Sequence, residues 1–154
     1  MKRIKLTNSN KVALVDDIDF ELVSQYKWHL HPCGVSLYAR TYLNGKKPLM
    51  HRLILAPPPN MDIDHANNNG LDNKRCNIRI CTRTQNQANS RPRKGTSKYK
   101  GVSWSYTENK WRAFIRINGK GKTIGRFDFE LEAAEAYKKE ALKCFGEFAY
   151  GYKI

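Results

Sequence analysis

Apolar residues along this chain come in short runs. They recur at every second residue or at every third to fourth, and no long unbroken apolar block is present. Lys11-Val12-Ala13-Leu14-Val15 predicts a strand. Asp16, Asp17 and Asp19 then offer helix caps, and Ile18, Leu22, Val23 and Tyr26 follow at helical spacing, with Trp28 as a core residue. His29 and His31 fall in a turn beside Trp28, where surface or structural roles are expected. Residues 37–43 predict a strand, Asn44-Gly45 a two-residue hairpin turn, and residues 47–54 the return strand, which carries His51. Ala56-Pro57-Pro58-Pro59-Asn60 predicts a stiff extended connection, because each residue before a proline is pushed out of the helical region.

The second half of the chain repeats the pattern more regularly. Met61-Asp62-Ile63-Asp64 alternates as a short strand, residues 66–73 (ANNNGLDN) form a turn-rich loop, and Asn77-Ile78-Arg79-Ile80-Cys81 alternates again. Thr82 stands three residues before Gln85 as a capping box, so a helix should start there. Strand, loop, strand and helix make a compact ββα unit. Residues 99–105, 110–118 and 122–127 predict three more strands, and residues 130–145 a helix with Leu131, Ala134, Tyr137, Ala141 and Cys144 on one stripe. On the middle strand Trp111, Ala113, Ile115 and Ile117 share one face, and Arg112, Phe114 and Arg116 the other. The expected fold class is α+β: a small β-rich lead-in, the ββα unit, then a three-stranded antiparallel sheet packed on one helix.

Charge divides the chain unevenly. Lys and Arg number 28 against 14 acids, a net charge of +14 over 154 residues. Residues 1–90 carry +6, residues 91–127 carry +10 with Glu108 as their single acid, and residues 128–154 carry −2. Such an excess points to a polyanion, most simply nucleic acid, because neutralised phosphates release counterions. Residues 91–98 (RPRKGTSK) are basic, contain Pro and Gly, and lack apolar periodicity, so they read as a linker between a domain at 1–90 and a second at 99–154. No membrane-length apolar segment or signal-peptide pattern is found, which points to an intracellular, cytoplasmic protein without a membrane partner.

The candidate chemistry lies in residues 49–89. Asp64 and His65 are adjacent, Asn77 follows His65 by twelve residues, and Asn86 follows Asn77 by nine. A hard divalent cation takes a carboxylate and an amide oxygen and leaves its other positions to water and phosphate, for which Asp64 and Asn86 are the right types. His65 is the candidate base, since a neutral imidazole can take a proton from an attacking water. Neighbours on a regular strand point to opposite faces, so Asp64 and His65 serve one site only where the strand ends or bends. Cys33, Cys76, Cys81 and Cys144 form no CxxC pair. A zinc site on Cys76, Cys81 and a histidine is the minority alternative to reduced thiols.

At these residues the chain resembles the HNH homing endonucleases, the ββα-metal nucleases. His65, Asn77 and Asn86 match the three letters of the motif, with Asn in the last place, and Asp64 supplies the acid before the first His. MHR at Met50-His51-Arg52, GLDN at 70–73 and NIR at 77–79 extend the likeness. The resemblance implies that His65 is the general base, that Asp64 and Asn86 bind the metal, and that Asn77 braces the Asn-rich loop. It implies Mg²⁺, with Mn²⁺ as a substitute. His51 and Arg52 are left as supporting residues or phosphate contacts. A bacterial or phage-infected cell is the setting such a family implies.

Further along, YKGV at 99–102, KWRAFIR at 110–116, IGRF at 124–127 and EAAEAYKKEALKCFGEFA at 132–149 resemble the plant ethylene-response-factor DNA-binding domain of the Apetala-two type. That resemblance implies a sheet laid in the major groove of double-stranded DNA. Lys100, Ser103, Ser105, Phe114, Arg116 and Thr123 fall near the family's contact positions, and Arg112 and Lys122 add charge along the same strands. Ser, Phe and Thr stand where the plant pattern has Arg or Trp, so the target sequence does not carry over. The combined expectation is a monomeric, site-directed DNA endonuclease needing no small-molecule cofactor. A catalytically inactive DNA-binding regulator and an RNA-directed binding protein or nuclease are the alternatives.

Overall fold

The computed structural model describes residues 1–151, and the fold is α+β, built from small antiparallel sheets and few helices. Two compact units are present, Met1–Thr82 and a second that begins at Arg83.

In the first unit, β1 (Lys2–Leu6) pairs with β2 (Ser9–Val15), and α1 (Asp17–Ser24) follows. Next, β3 (His29–Cys33) pairs with β4 (Ser36–Arg40), α2 spans Met50–Leu55, and β5 (Asp62–His65) pairs with β6 (Ile78–Cys81). One core joins Ile4, Val15, Val23, Trp28, Met50, Ile54, Ile63 and Ile78. The Trp28 indole is buried there and donates to the Val23 carbonyl at 2.8 Å, which satisfies its one polar atom.

Three local expectations are corrected. Residues 47–54 are not a strand: their apolar pattern is satisfied by the helix α2, which buries Met50 and Ile54 four residues apart on one face. A short apolar run fits either period, and here the core selects the helical one. The partner of β4 is instead β3, so His29 and His31 sit on a strand, not in a turn. The Asn44-Gly45 turn forms as expected, with positive φ at both residues and Leu43 and Lys46 exchanging two backbone bonds. In α1 the inward face carries Asp19, Phe20 and Val23, while Ile18 is 78% exposed. Asp19 is the reason: its buried carboxylate takes Arg75 Nε on Oδ2 at 2.9 Å and Nη2 on Oδ1 at 2.8 Å. That ion pair ties the lead-in to the loop before β6. The Leu14 backbone grips the same loop, donating to the Leu71 carbonyl and accepting from the Asn73 amide, both at 2.8 Å. The lead-in thus shapes the Asn-rich loop.

In the second unit, α3 (Arg83–Asn89) is followed by a sheet in the order β7 (Val102–Ser105), β8 (Lys110–Ile117), β9 (Lys120–Phe127), all antiparallel, and by α4 (Glu130–Phe145). Val102, Ala113 and Ile115 form the core with Ala133, Tyr137 and Ala141, and Trp111 and Ile117 pack against it. The buried stripe of α4 is therefore Ala133, Tyr137 and Ala141. Leu131 and Cys144, expected on it, are exposed, because the helix presents its alanines to the sheet for closest approach. Gly101 marks that closeness: with φ +71°, a Cβ there would lie 2.1 Å from the Tyr137 ring. Residues 91–98 carry no helix or strand, yet they are pinned. Ser97 donates to Glu130 Oε1 at 2.7 Å, and Thr96 Oγ1 accepts from the Trp104 amide at 2.8 Å.

Candidate functional site

The β5–β6 hairpin pairs Asp64 with Arg79 and His65 with Ile78. Directly opposed residues share a face, and faces alternate along each strand. Asp64 and Arg79 therefore lie on one side, and Ile63, His65 and Ile78 on the other, where both isoleucines enter the core. Asp64 is 4% exposed, and Arg79 Nε and Nη2 both donate to its Oδ2, at 2.9 and 2.7 Å. His65 is the last residue of β5 and still pairs with Ile78, so along the strand it faces away from Asp64.

His65 sits in a cage of rings. His51 meets it at 4.9 Å between centroids and 84° between planes, Tyr38 lies 5.8 Å away, and Tyr38 and His51 are 5.5 Å apart. Burial holds the His65 pKa below the usual histidine value, offset in part by the Asn73 side chain and then by the Asp64 and Asp72 carboxylates. Burial also drives His51 down to about 3, helped by the neighbouring His65 and Arg52. Both rings are thus neutral at neutral pH, the state in which His65 can accept a proton. His51 Nδ1 finds no hydrogen-bond partner among the described residues. Gly70 admits Tyr38 to the cage: a Cβ there would stand 2.5 Å from both the Tyr38 ring and the Leu37 carbonyl oxygen.

The loop between the strands is held by its own amides. Asn77 Oδ1 accepts from the Asn67 amide at 3.0 Å, and Asn77 Nδ2 donates to the Asp72 carbonyl at 2.7 Å. Asn67 and Asn69 each accept from the backbone two residues on, turns that asparagine makes readily. Asn77 thereby fastens both ends of the segment that follows His65. Arg52 of α2 donates to the Met61 carbonyl at 3.1 Å and lies 3.6 Å from Asp62, anchoring the start of β5. Asn86 lies on α3, within the second unit. Among the described residues no three His, Cys, Asp or Glu stand together as a metal-holding group. Cys76 is exposed and Cys81 buried.

In the second unit the sheet face away from α4 gathers most of the sequence-derived contact residues. Ser103 opposes Arg112, Ser105 opposes Lys110, and Thr123 opposes Phe114. Arg112 and Arg116 are exposed, and the Arg112 guanidinium lies 5.5 Å from the Phe114 ring centroid. Lys122 and Lys100 stand elsewhere. Lys122 opposes Ile115 and meets Glu140 of α4 at 2.7 Å. Lys100 Nζ donates to the carbonyls of Gln87, Ala88 and Ser90 at 2.7–2.8 Å, closing the C-terminal end of α3. Sequence reasoning missed a cleft of about 530 Å³ in which Arg91, Arg93 and Lys94 join Ser103, Phe114 and Arg116. The charge run at 91–98 was its visible signal. Tyr38 and Arg79 were also missed as neighbours of the site residues. The fixed period of a strand could have found Arg79, but nothing local marks Tyr38.

No family model matches the chain, and no solved structure matches it. The chain is 36% identical over 148 residues to an uncharacterised HNH endonuclease of Acanthamoeba polyphaga mimivirus, an alignment that takes in 92% of this chain and 75% of that protein. It is 30% identical over 93 residues to Protein 3.8 of Escherichia phage T7, covering 60% of this chain and 76% of that protein.

Proposed function

The chain belongs to the HNH endonuclease family, and from that premise we propose that it is a metal-dependent, site-directed DNA endonuclease of the homing type. The observation that carries the reading is His65: a neutral, ring-caged imidazole at the end of β5, next in sequence to a buried carboxylate. His65 takes a proton from water, and the hydroxide formed attacks phosphorus in line with the leaving 3′ oxygen. His51 and Tyr38 hold the ring in place, and Asn77 fixes the loop that leaves it.

The donor chemistry fits a hard cation such as Mg²⁺, with Mn²⁺ as a substitute. Asp64 is one buried carboxylate held in a defined pose by Arg79, and Mg²⁺ is commonly bound by one or two carboxylates plus water and substrate phosphate. Asn86 is the second ligand on the strength of the motif. When bound, the metal supplies positive charge at the scissile phosphate and the leaving oxygen.

The second unit is the proposed reader of double-stranded DNA. Its support is the exposed Arg112/Arg116 face with Ser103, Phe114 and Thr123, bordered by Arg91, Arg93 and Lys94. Phosphate contacts by the lysines and arginines would set register, and base-edge contacts by the strand residues would set sequence preference. Nicking of supercoiled plasmid in Mg²⁺, with and without EDTA, tests the metal reading together with Asp64→Ala. EDTA and the substitution should each stop cutting. Full activity in EDTA would overturn the reading.

A further inference from the structure

We propose that the β3–β4 hairpin and the turn after it carry a duplex-DNA contact strip of their own, Arg40, Tyr42 and Lys47, which runs out from the ring cage of His65 and grips phosphates flanking the scissile one. The inference rests on reading His65 as the place of cleavage on DNA, and it gives the first unit a hold on the substrate separate from the second unit's.

Burial alternates along residues 38–42. Ala39 and Thr41 are 1% and 2% exposed and face the core, whereas Tyr38, Arg40 and Tyr42 take the other side. Tyr38 stands against the His65 ring. Arg40 comes next on that side, directly opposite His29 of β3, and then Tyr42, which is 57% exposed. Cations and a ring gather around Tyr42. Lys47 Nζ lies 5.5 Å from its ring centroid, the Arg40 guanidinium 6.0 Å, and His29 meets it at 5.7 Å. The hairpin beneath is held firmly. Thr7 Oγ1 and His29 Nδ1 share a hydrogen bond of 2.6 Å, and the Asn8 side chain bonds both the amide and the carbonyl of Leu30. At about 3.3 Å per residue, Tyr42 lies ~13 Å beyond Tyr38. That reach equals about four nucleotide steps along one strand of duplex DNA.

Charge sets the strip apart from the rest of its unit. Residues 22–61 contain five Lys and Arg and no Asp or Glu, so +5 of the +6 carried by residues 1–90 falls there. Arginines elsewhere in the unit have acids: Arg75 pairs with Asp19 and Arg79 with Asp64. Arg40, Lys46 and Lys47 have no acid partner among the described residues, and Arg40 Nε is buried there without a hydrogen-bond partner. Cations gathered without an acid repel one another, and an arriving phosphate relieves that repulsion. Lys, Arg and the Tyr hydroxyl are common donors to phosphate oxygens, and such contacts fix position without reading sequence. The strip therefore sets where the scissile phosphate stands relative to His65, whatever the bases are.

Binding of the full chain to a duplex spanning a mapped nick, measured in EDTA so that nothing is cut, tests this. Lys47→Gln combined with Tyr42→Ala changes two exposed side chains. The pair should weaken binding about tenfold and make the slope of log affinity against log salt shallower by about 1, with the melting temperature unchanged. Neutral methylphosphonates placed at single positions locate the contact. Wild type should lose affinity at phosphates about three to five nucleotides to one side of the nick, and the double variant should lose no more there. Affinity and salt slope equal to wild type overturn the strip; where Arg116→Ala still weakens binding to the same duplex, the second unit remains the reader. A lowered melting temperature with an unchanged salt slope makes the cluster a packing feature and overturns the strip as well. A wild-type chain that binds duplex RNA and no DNA overturns the strip together with the DNA reading on which it rests. Should the double variant not fold, Lys47→Gln alone decides by its salt slope and by the same methylphosphonate comparison.

Discussion

The rings of His51 and His65 meet edge to face at 4.9 Å, and neither residue is more than 6% exposed. Two imidazoles so close and so buried cannot both become charged at low cost, because each proton would lack water and face the other's field. The pair therefore prefers to be neutral. The pKa of His51 lies at about 3, against 6.5 for the free side chain, and that of His65 is also lowered.

The sign of the resulting pH dependence is fixed. Protons bind the unfolded chain more readily than the folded one, so stability is full above pH 6.5 and falls as pH drops from 6.5 toward about 3. His51→Phe keeps a ring against His65 and Tyr38 but removes one titrating group. Its melting temperature should fall less steeply than that of wild type between pH 7 and pH 5, by thermal denaturation across that range. Parallel slopes would contradict the buried neutral assignment. The acid limb of cleavage should likewise lie below the ordinary histidine pKa, since His65 stays unprotonated there.

Gly70 gives a packing test of the same cage. A methyl group at this position meets the Tyr38 ring and the Leu37 carbonyl oxygen, both at 2.5 Å. Gly70→Ala should destabilise the fold by about 1–3 kcal/mol, the usual cost of overpacking. Adding Tyr38→Ala should return part of that loss, measured by urea denaturation of the single and double variants. A fully additive double variant would place the strain on the backbone contact alone.

Lys100 and Arg116 should behave differently, although the resemblance implies a DNA contact for both. Lys100→Met deprives the end of α3 of its cation and should lower stability by about 1 kcal/mol, with little change in the salt dependence of duplex binding. Arg116→Ala should leave the melting temperature alone and weaken duplex binding by about 1–3 kcal/mol if it reaches a base edge. A salt titration of binding and a melting curve on each variant distinguish them. Loss of affinity in Lys100→Met without loss of stability would make it a direct DNA contact.

The legible parts of the chain were those in which local signals agree. Residues 130–145, the three strands before them and the β5–β6 hairpin show clear periodicity bounded by Gly, Asn or Asp, and their expected limits differ from those observed by three residues at most. The Asn-rich loop was legible as a loop because its amides make turns with their own backbone. Residues 47–54 misled because a short apolar run fits both periods, and only the distant core at Trp28 and Val23 decides between them. The direction of α1 misled because a buried Asp19 outweighs an exposed Ile18, and its partner Arg75 is 56 residues away. Tyr38 was illegible for the same reason: its place beside His65 depends on a glycine in another segment.

His65→Ala tests the central claim most directly. In matched Mg²⁺ and salt, nicking of a plasmid substrate by the full chain is compared with that by His65→Ala, alongside binding of both proteins to the same duplex. Loss of the base should lower the cutting rate by about 10²–10⁴-fold while duplex binding persists, since the proposed phosphate contacts lie on other residues. A variant that keeps more than about a tenth of the wild-type rate contradicts the assignment of His65 as general base.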